Sequence, residues 1–371
     1  MAMTMPSSLI REMTSIDPEQ IETAELVFPC GDVGQTLDFY TKELGFRVDA
    51  IFPADAPRVA RISGHGLRIR LEHCDDPEKH ILPSTIDDVE HIAREVHGLI
   101  NADDIEIDLE PHAGAPELPL LVPSLVIQQY SDDSWGTGRA GMQYRDLIPD
   151  RLGGRYIASH IRIPTGGPVP DYVHRHHVRF QMIYCYHGWV KVVYEDQGLP
   201  FVMNAGDCVL QPPHICHRVL ECSDQMEVIE ITCPAEHETL VDHELGLPTA
   251  TIQPDRDFGG QQFVYHQQGN AAWQPADLRN FETRDLGIAE ATDGLASAQV
   301  LRATTSTEVT DLIQNAAFNF SFVLKGSASL SSEDRQNWPL AQGDSFVIPA
   351  NTSIMLADCS ADLEILNVTS Y

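Results

Sequence analysis

Basic residues are scarce in this chain. Lys and Arg number 24 against 55 Asp and Glu, a formal net charge of −31 over 371 residues. A field of that sign repels nucleic-acid phosphates and anionic membranes, so neither is expected as a partner. No stretch approaches the ~18 apolar residues a membrane span needs. The first twenty residues have no basic start followed by a long apolar run, so no signal peptide is expected. None of the eight cysteines forms a C-x-x-C pair, which removes the zinc-ribbon and thioredoxin motifs. The expectation is a soluble cytoplasmic protein with reduced thiols. Aromatics are only 7%, yet hydrophobic residues reach 43%, enough for packed cores and too much for a disordered chain. The length implies two or three domains.

Residues 1–20 are polar and irregular, and read as a flexible tail. From Ala24 to Glu72 the pattern is a short strand (Leu26–Phe28), a helix carrying Val33, Leu37, Phe39, Tyr40 and Leu44 near one face, Gly45 as its stop, and strands at Arg47–Phe52, Val59–Ser63 and Leu67–Glu72. This βαβββ order, with "FYTKELGF" closing the helix, resembles one module of the glyoxalase/bleomycin-resistance (vicinal oxygen chelate) superfamily. The resemblance implies an α+β module over residues 21–110. It makes Glu25 and Glu72 the nearest counterparts of that superfamily's metal ligands. A second module is only weakly visible, as a helix at Thr85–Ile100 followed by "IEIDLEP". The region is therefore expected to be structural or a docking element.

Residues 111–150 are rich in Pro, Gly and Asp and read as a linker or long loops. Beyond Arg155, short β-rich runs alternate with turn residues to the end, the texture of β-barrels or sandwiches. The layout repeats. "FQMIYCYHGWVKVV" followed by "FVMNAGDCVLQPPHICHRVL" is echoed by "FNFSFVLKGSASLSS" followed by "PLAQGDSFVIPANTSIML". Two copies of one barrel follow, over residues 151–250 and 251–371.

The chemistry gathers in "HRHHVRFQ", His174 to Gln181. His174 and His176 alternate, so on a strand they point to one face. Gln181 and Gly188 follow, and "GDCVLQPPHICH" then places Gly206, Pro212 and His217. This resembles the two cupin motifs, G-x(5)-H-x-H-x(3,4)-E-x(6)-G and G-x(5)-P-x-G-x(2)-H. The first gap is one residue longer here, Gln181 holds the Glu position, and Pro213–His214 departs from the P-x-G turn. The resemblance implies a mainly β protein with two cupin (double-stranded β-helix, jelly-roll) barrels behind the α+β module. In the second barrel the His217 position is Ile354, so that half is expected to be a degenerate, structural or dimerising barrel.

Three neutral imidazoles suit a divalent transition metal and leave positions open for substrate. The expected metal is Fe(II), with Mn, Ni, Zn and Cu as alternatives, held by His174, His176 and His217 with Gln181 as a weak ligand or hydrogen-bonding neighbour. Such a site favours a small anionic substrate. His160 and Arg162 share parity on the preceding strand and are candidates to meet a substrate carboxylate, with Arg179 and Arg218 flanking ligands. His177 and His214 read as neighbours of the ligands or exposed groups, and His187 as a packing or exposed residue. Phe180, Met182, Tyr184, Tyr186 and Trp189 read mainly as core and interface.

The function expected is a cupin dioxygenase cleaving a small aromatic or enolisable anion with O2, in a homo-oligomer, most simply a dimer. The alternatives are a non-oxidative metal-dependent isomerase, lyase or decarboxylase, and a small-ligand binding or sensor protein.

Overall fold

In a computed structural model of the chain, the described residues are 21–76, 106–111, 116–137, 142–305, 310–312, 315–332 and 336–371. The expected tail and the helix expected over Thr85–Ile100 lie outside them. Two compact units result. One runs to Pro116 and takes in Glu238–Val241; the other comprises Glu117–His237 and Asp242–Tyr371.

The first unit follows the expected order: β1 (Ile21–Cys30), a helix at Val33–Lys42, β2 (Arg47–Phe52), β3 (Val59–Gly64), β4 (Leu67–His73) and β5 (Glu106–Pro111). Asp32 caps the helix, its Oδ1 accepting from the Gln35 N–H at 2.9 Å. Gly45 ends it at φ 73°, a left-handed position where glycine carries no Cβ penalty. β1 pairs parallel with β4 and antiparallel with β5, and the strand Thr239–Val241 pairs with β2. Leu67, Ile69 and Leu71 alternate inward on β4 and pack with Leu26, Phe28, Val33 and Tyr40.

The second unit contains β6 (Val126–Gln128), β7 (Gly136–Thr137), β8 (Gln143–Asp146), β9 (Ile157–Ile163), β10 (Gly167–Pro168), β11 (His174–His176), β12 (Phe180–His187), β13 (Trp189–Tyr194), β14 (Phe201–Asn204), β15 (Cys208–Leu210), β16 (His217–Cys222) and β17 (Met226–Cys233). The strand at Thr239–Val241, placed above in the first unit, is β18. The chain continues through β19 (Val264–His266), β20 (Gln274–Pro275), β21 (Phe281–Asp285), β22 (Ala296–Ala303), β23 (Thr310–Asp311), β24 (Phe318–Lys325), β25 (Ser327–Ser332), β26 (Asn337–Ala341), β27 (Ser345–Val347), β28 (Ile354–Ala357) and β29 (Glu364–Ser370).

These strands build two barrels of the same plan. One pairs the sheet β19-β15-β12-β17-β9-β8-β7 with β14-β13-β16-β11; the other pairs β20-β21-β22-β29-β24-β27-β6 with β26-β25-β28-β23. The outer members are exchanged. β6, which precedes the first barrel in the chain, pairs with β27 of the second. β19, which precedes the second, pairs with β15 of the first. Residues 111–150 are therefore more than a linker, because β6 and β8 complete barrel sheets.

The repeated "GD" has its reason in this exchange. Asp207 Oδ1 accepts from the Gln268 N–H at 2.8 Å, and Asp344 Oδ1 from the Tyr130 N–H at 2.6 Å. The preceding glycines give the arms room: a Cβ at Gly206 would collide with the Gln268 side chain.

Strand alternation separates two cores. One face of β12, β17 and β24 (Phe180, Met182, Tyr184, Ile229, Phe318, Phe320, Phe322) packs barrel against barrel, with the Tyr156 and Phe318 rings stacked at 4.0 Å. The other face lines each barrel's interior, with Cys185, Val192, Tyr194 and Val228 in the first. All eight cysteines are free thiols.

Candidate metal centre

His174 and His217 face each other directly across the antiparallel β11–β16 pair, and His176 follows His174 on the same side. The ligand atoms of the three lie within 4.8 Å of one another, the one such cluster of His, Cys, Asp or Glu among the described residues. The outward-facing nitrogens are held by backbone. His174 Nδ1 lies 2.8 Å from the Tyr172 carbonyl and His217 Nδ1 lies 3.2 Å from that of Ile215. A ring that donates through Nδ1 keeps its Nε2 lone pair for a metal. The donor set therefore fits a divalent transition metal.

Pro213–His214, where the sequence departs from the usual turn, makes the same turn nonetheless. His214 takes φ 64° in the glycine position, and Asn351 does so at φ 59° in the second barrel. The His214 ring packs 5.2 Å from that of His177, and both stand apart from the cluster.

Gln181 is buried (1% exposed) and belongs to a directed chain of hydrogen bonds. Tyr194 Oη donates to Gln211 Oε1 at 2.7 Å, and Gln211 Nε2 donates to Gln181 Oε1 at 3.1 Å. Gln181 Nε2 in turn donates to Glu230 Oε1 at 2.8 Å. Burial raises the Tyr194 phenol well above its ordinary value, so that end remains a donor. The carboxylate end can only accept, and the two ends fix both amide orientations. Gln211 Nε2 also lies 3.4 Å from His217 Nε2, which ties this wall to the cluster.

Glu230, on the adjacent strand β17, places a carboxylate behind Gln181 but is not part of the cluster of three histidines. No motif marks Glu230, Gln211 or Tyr194. Inward parity on β17 would have flagged Glu230 once the strand pairing was known. His237, with its ring 5.4 Å from that of His176, was also missed.

His160 and Arg162 are not brought to the histidine cluster. They lie on the face of β9 turned toward the second barrel, where a cavity of about 600 Å³ is lined by His160, Arg162, Tyr186, Glu227, Lys325 and Glu364. Glu227 accepts from His160 Nε2 at 2.8 Å and from Arg162 Nε at 2.7 Å. Arg145, fully buried, donates to His160 Nδ1 at 3.1 Å and to the Gly343 carbonyl. Burial pushes the Arg145 guanidinium down to about 10. Burial also pushes His160 below its ordinary value, against the pull of its Glu227 hydrogen bond. For Glu227 burial acts upward, but the hydrogen bonds and charges of His160 and Arg162 hold the carboxyl below its usual range. The expected meeting of His160 and Arg162 with a substrate at the cluster is thus not made. His187 lines this cavity too, because a register shift between Cys185 and His187 breaks the strand's parity.

In the first unit, Glu25 is buried and accepts from Arg61 Nε at 3.1 Å, while Arg61 also reaches Glu238 at 2.6 Å. Glu72 lies opposite Pro29 on β1, which puts it four positions along the sheet from Glu25, about 13 Å at strand rise. Glu25 and Glu72 therefore do not converge on one ion.

The second unit is thus two jelly-roll barrels of cupin-like fold, one of which carries three converged histidines on β11 and β16 that could hold a metal ion. Residues 23–113 match the family model of the Glyoxalase/Bleomycin resistance protein/Dioxygenase superfamily. No curated protein matches the chain. Among solved structures, a variant of salicylate 1,2-dioxygenase from Pseudoaminobacter salicylatoxidans is similar at TM-score 0.48 and 14% identity, over 78% of this chain and 95% of that one. A variant of Bacillus subtilis oxalate decarboxylase is similar at 0.45 and 10%, over 80% and 86%. An 11S globulin from Wrightia tinctoria is similar at 0.47 and 14%, over 66% and 83%.

Proposed function

We propose that the first barrel is a mononuclear metal-dependent dioxygenase acting on a small aromatic or enolisable anion. The observation that carries this reading is the histidine set itself: three imidazoles within 4.8 Å, two of them oriented by backbone carbonyls. His174, His176 and His217 would hold the metal, with Fe(II) the ion best suited to O2 chemistry. When bound, that ion supplies a Lewis-acidic centre with open positions for oxygen ligands. The neutral histidines leave its charge uncompensated by direct ligands, which selects an anionic substrate. Gln181, held between Gln211 and Glu230, gives the site a rigid amide wall. Tyr194 and the apolar barrel core around it exclude water.

A second reading has an observation of its own. Glu230 places a carboxylate behind Gln181, and a carboxylate beside a metal site suits proton transfer in an isomerase, lyase or decarboxylase. Oxygen uptake separates the two. Iron-loaded protein is expected to consume O2 with one of a panel of catechols, hydroxybenzoates and diketones; no uptake across the panel removes the dioxygenase reading. His176→Ala is expected to abolish stoichiometric metal by elemental analysis. Equal metal content in the variant and the parent removes the site.

A further inference from the structure

The second barrel has lost the histidines and kept a cavity. Leu312 hydrogen-bonds through its N–H to the Ile354 carbonyl, across strands corresponding to the β11–β16 pair, so aliphatic residues stand where His174 and His217 face each other. A barrel retained for structure alone would close on such residues, because protein interiors pack to crystal-like density. Instead a cavity of about 420 Å³ remains, lined by Leu301, Phe346, Ile348 and Leu356 among others on one side and by amides and hydroxyls on the other. That volume lies within the roughly 300–1,000 Å³ of small-molecule sites.

The polar wall is the counterpart of the Gln181 wall. Asn319 stands opposite Thr369 as Gln181 stands opposite Thr232. Asn367 Nδ2 donates to Asn319 Oδ1 at 2.8 Å, where the first barrel has Gln181 against Glu230. The chain again has a direction. Thr283 Oγ1 donates to Gln299 Oε1 at 2.7 Å, Gln299 Nε2 to Asn367 Oδ1 at 3.3 Å, and Asn367 Nδ2 also to Ser321 Oγ at 3.1 Å. Each link consumes an acceptor, so the chain ends in donors. Asn319 is 5% exposed and Ser321 4%, yet the Asn319 Nδ2 and the Ser321 hydroxyl proton have no acceptor among the described residues. Both residues line the cavity, where these donors are free to meet an acceptor on a ligand.

No Lys, Arg or His lines the cavity among the described residues, and the sole carboxylate, Asp277, is exposed. A charged ligand would be desolvated there without a counter-ion. We infer that the second barrel is a metal-independent binding site for an uncharged, largely apolar small molecule that presents a carbonyl or similar acceptor oxygen to Asn319 and Ser321. This inference stands apart from the proposed dioxygenase site.

Acetophenone, its charged isostere benzoate and its acceptor-free relative ethylbenzene test it, by calorimetry and ligand-observed NMR on the full chain carrying His176→Ala. Acetophenone is expected to bind saturably with one equivalent, and benzoate at least tenfold more weakly. The near-isosteric Asn319→Leu, which removes the donor, is expected to weaken acetophenone at least fivefold while leaving ethylbenzene unchanged. Leu356→Trp, which fills the cavity, is expected to abolish both; Ile348→Phe serves the same purpose if that variant does not fold. No saturable acetophenone binding, binding undiminished in a filled variant, or benzoate binding as tightly as acetophenone would overturn the inference.

Discussion

Gln181 and Glu230 show how a motif position takes its surroundings from the neighbouring strand. Alone, a glutamine in the usual glutamate position looks like a lost charge. In the structure the amide donates to the Glu230 carboxylate on the next strand, which lies outside the histidine cluster. Gln181→Glu would set two buried carboxylates against each other, and about 2–3 kcal/mol of stability should be lost at neutral pH. The exchanged pair Gln181→Glu with Glu230→Gln should recover most of it, as read by urea denaturation; a double variant no better than Gln181→Glu alone would show that the contact is incidental. His160 carries a different prediction. Its folded value lies below the ordinary 6.5, so the unfolded chain binds more protons in the window just under 6.5. Stability is therefore complete above that window and falls as pH drops through it. His266 and His214, lowered by burial first, act in the same direction. His160→Gln should shallow the loss of thermal midpoint between pH 7 and 5 without removing it.

At the scale of elements, the exchanged arms explain features that repeat in sequence without an evident cause. Asp207 and Asp344 each accept two backbone N–H groups, one from an arm and one within their own turn: Asn204 at 2.9 Å for the first and Ala341 at 2.7 Å for the second. Hydrogen bonds to a buried carboxylate are among the stronger ones, so Asp207→Ala and Asp344→Ala should each cost roughly 3 kcal/mol in chemical denaturation. Near-neutral values would show that the arms do not depend on these contacts. The βαβββ module and the strands around the motifs were legible because their alternation and turn residues are local signals. The arms were not, because β6 and β19 are three-residue strands whose partners lie in the other barrel.

For the whole molecule, the charge of −31 is a term no single contact reveals. Self-repulsion is felt over about 30 Å at 0.01 M salt and about 8 Å at 0.15 M. The thermal midpoint should therefore rise by several degrees over that range of NaCl. A midpoint independent of salt would mean that the acidic groups are locally compensated. None of the helices among the described residues is long and apolar enough to cross a membrane.

By itself the sequence determined the βαβββ module, the two-barrel repeat and the histidines that come together, because periodicity and motif spacing are properties of the chain read in order. Only the tertiary structure decided that Glu230 stands behind Gln181, that His160 and Arg162 face the other barrel, and that the histidine-free barrel keeps an amide-lined cavity. Those facts depend on strand register and on which face of a sheet is turned toward which neighbour. Both are set by packing between segments distant in the chain.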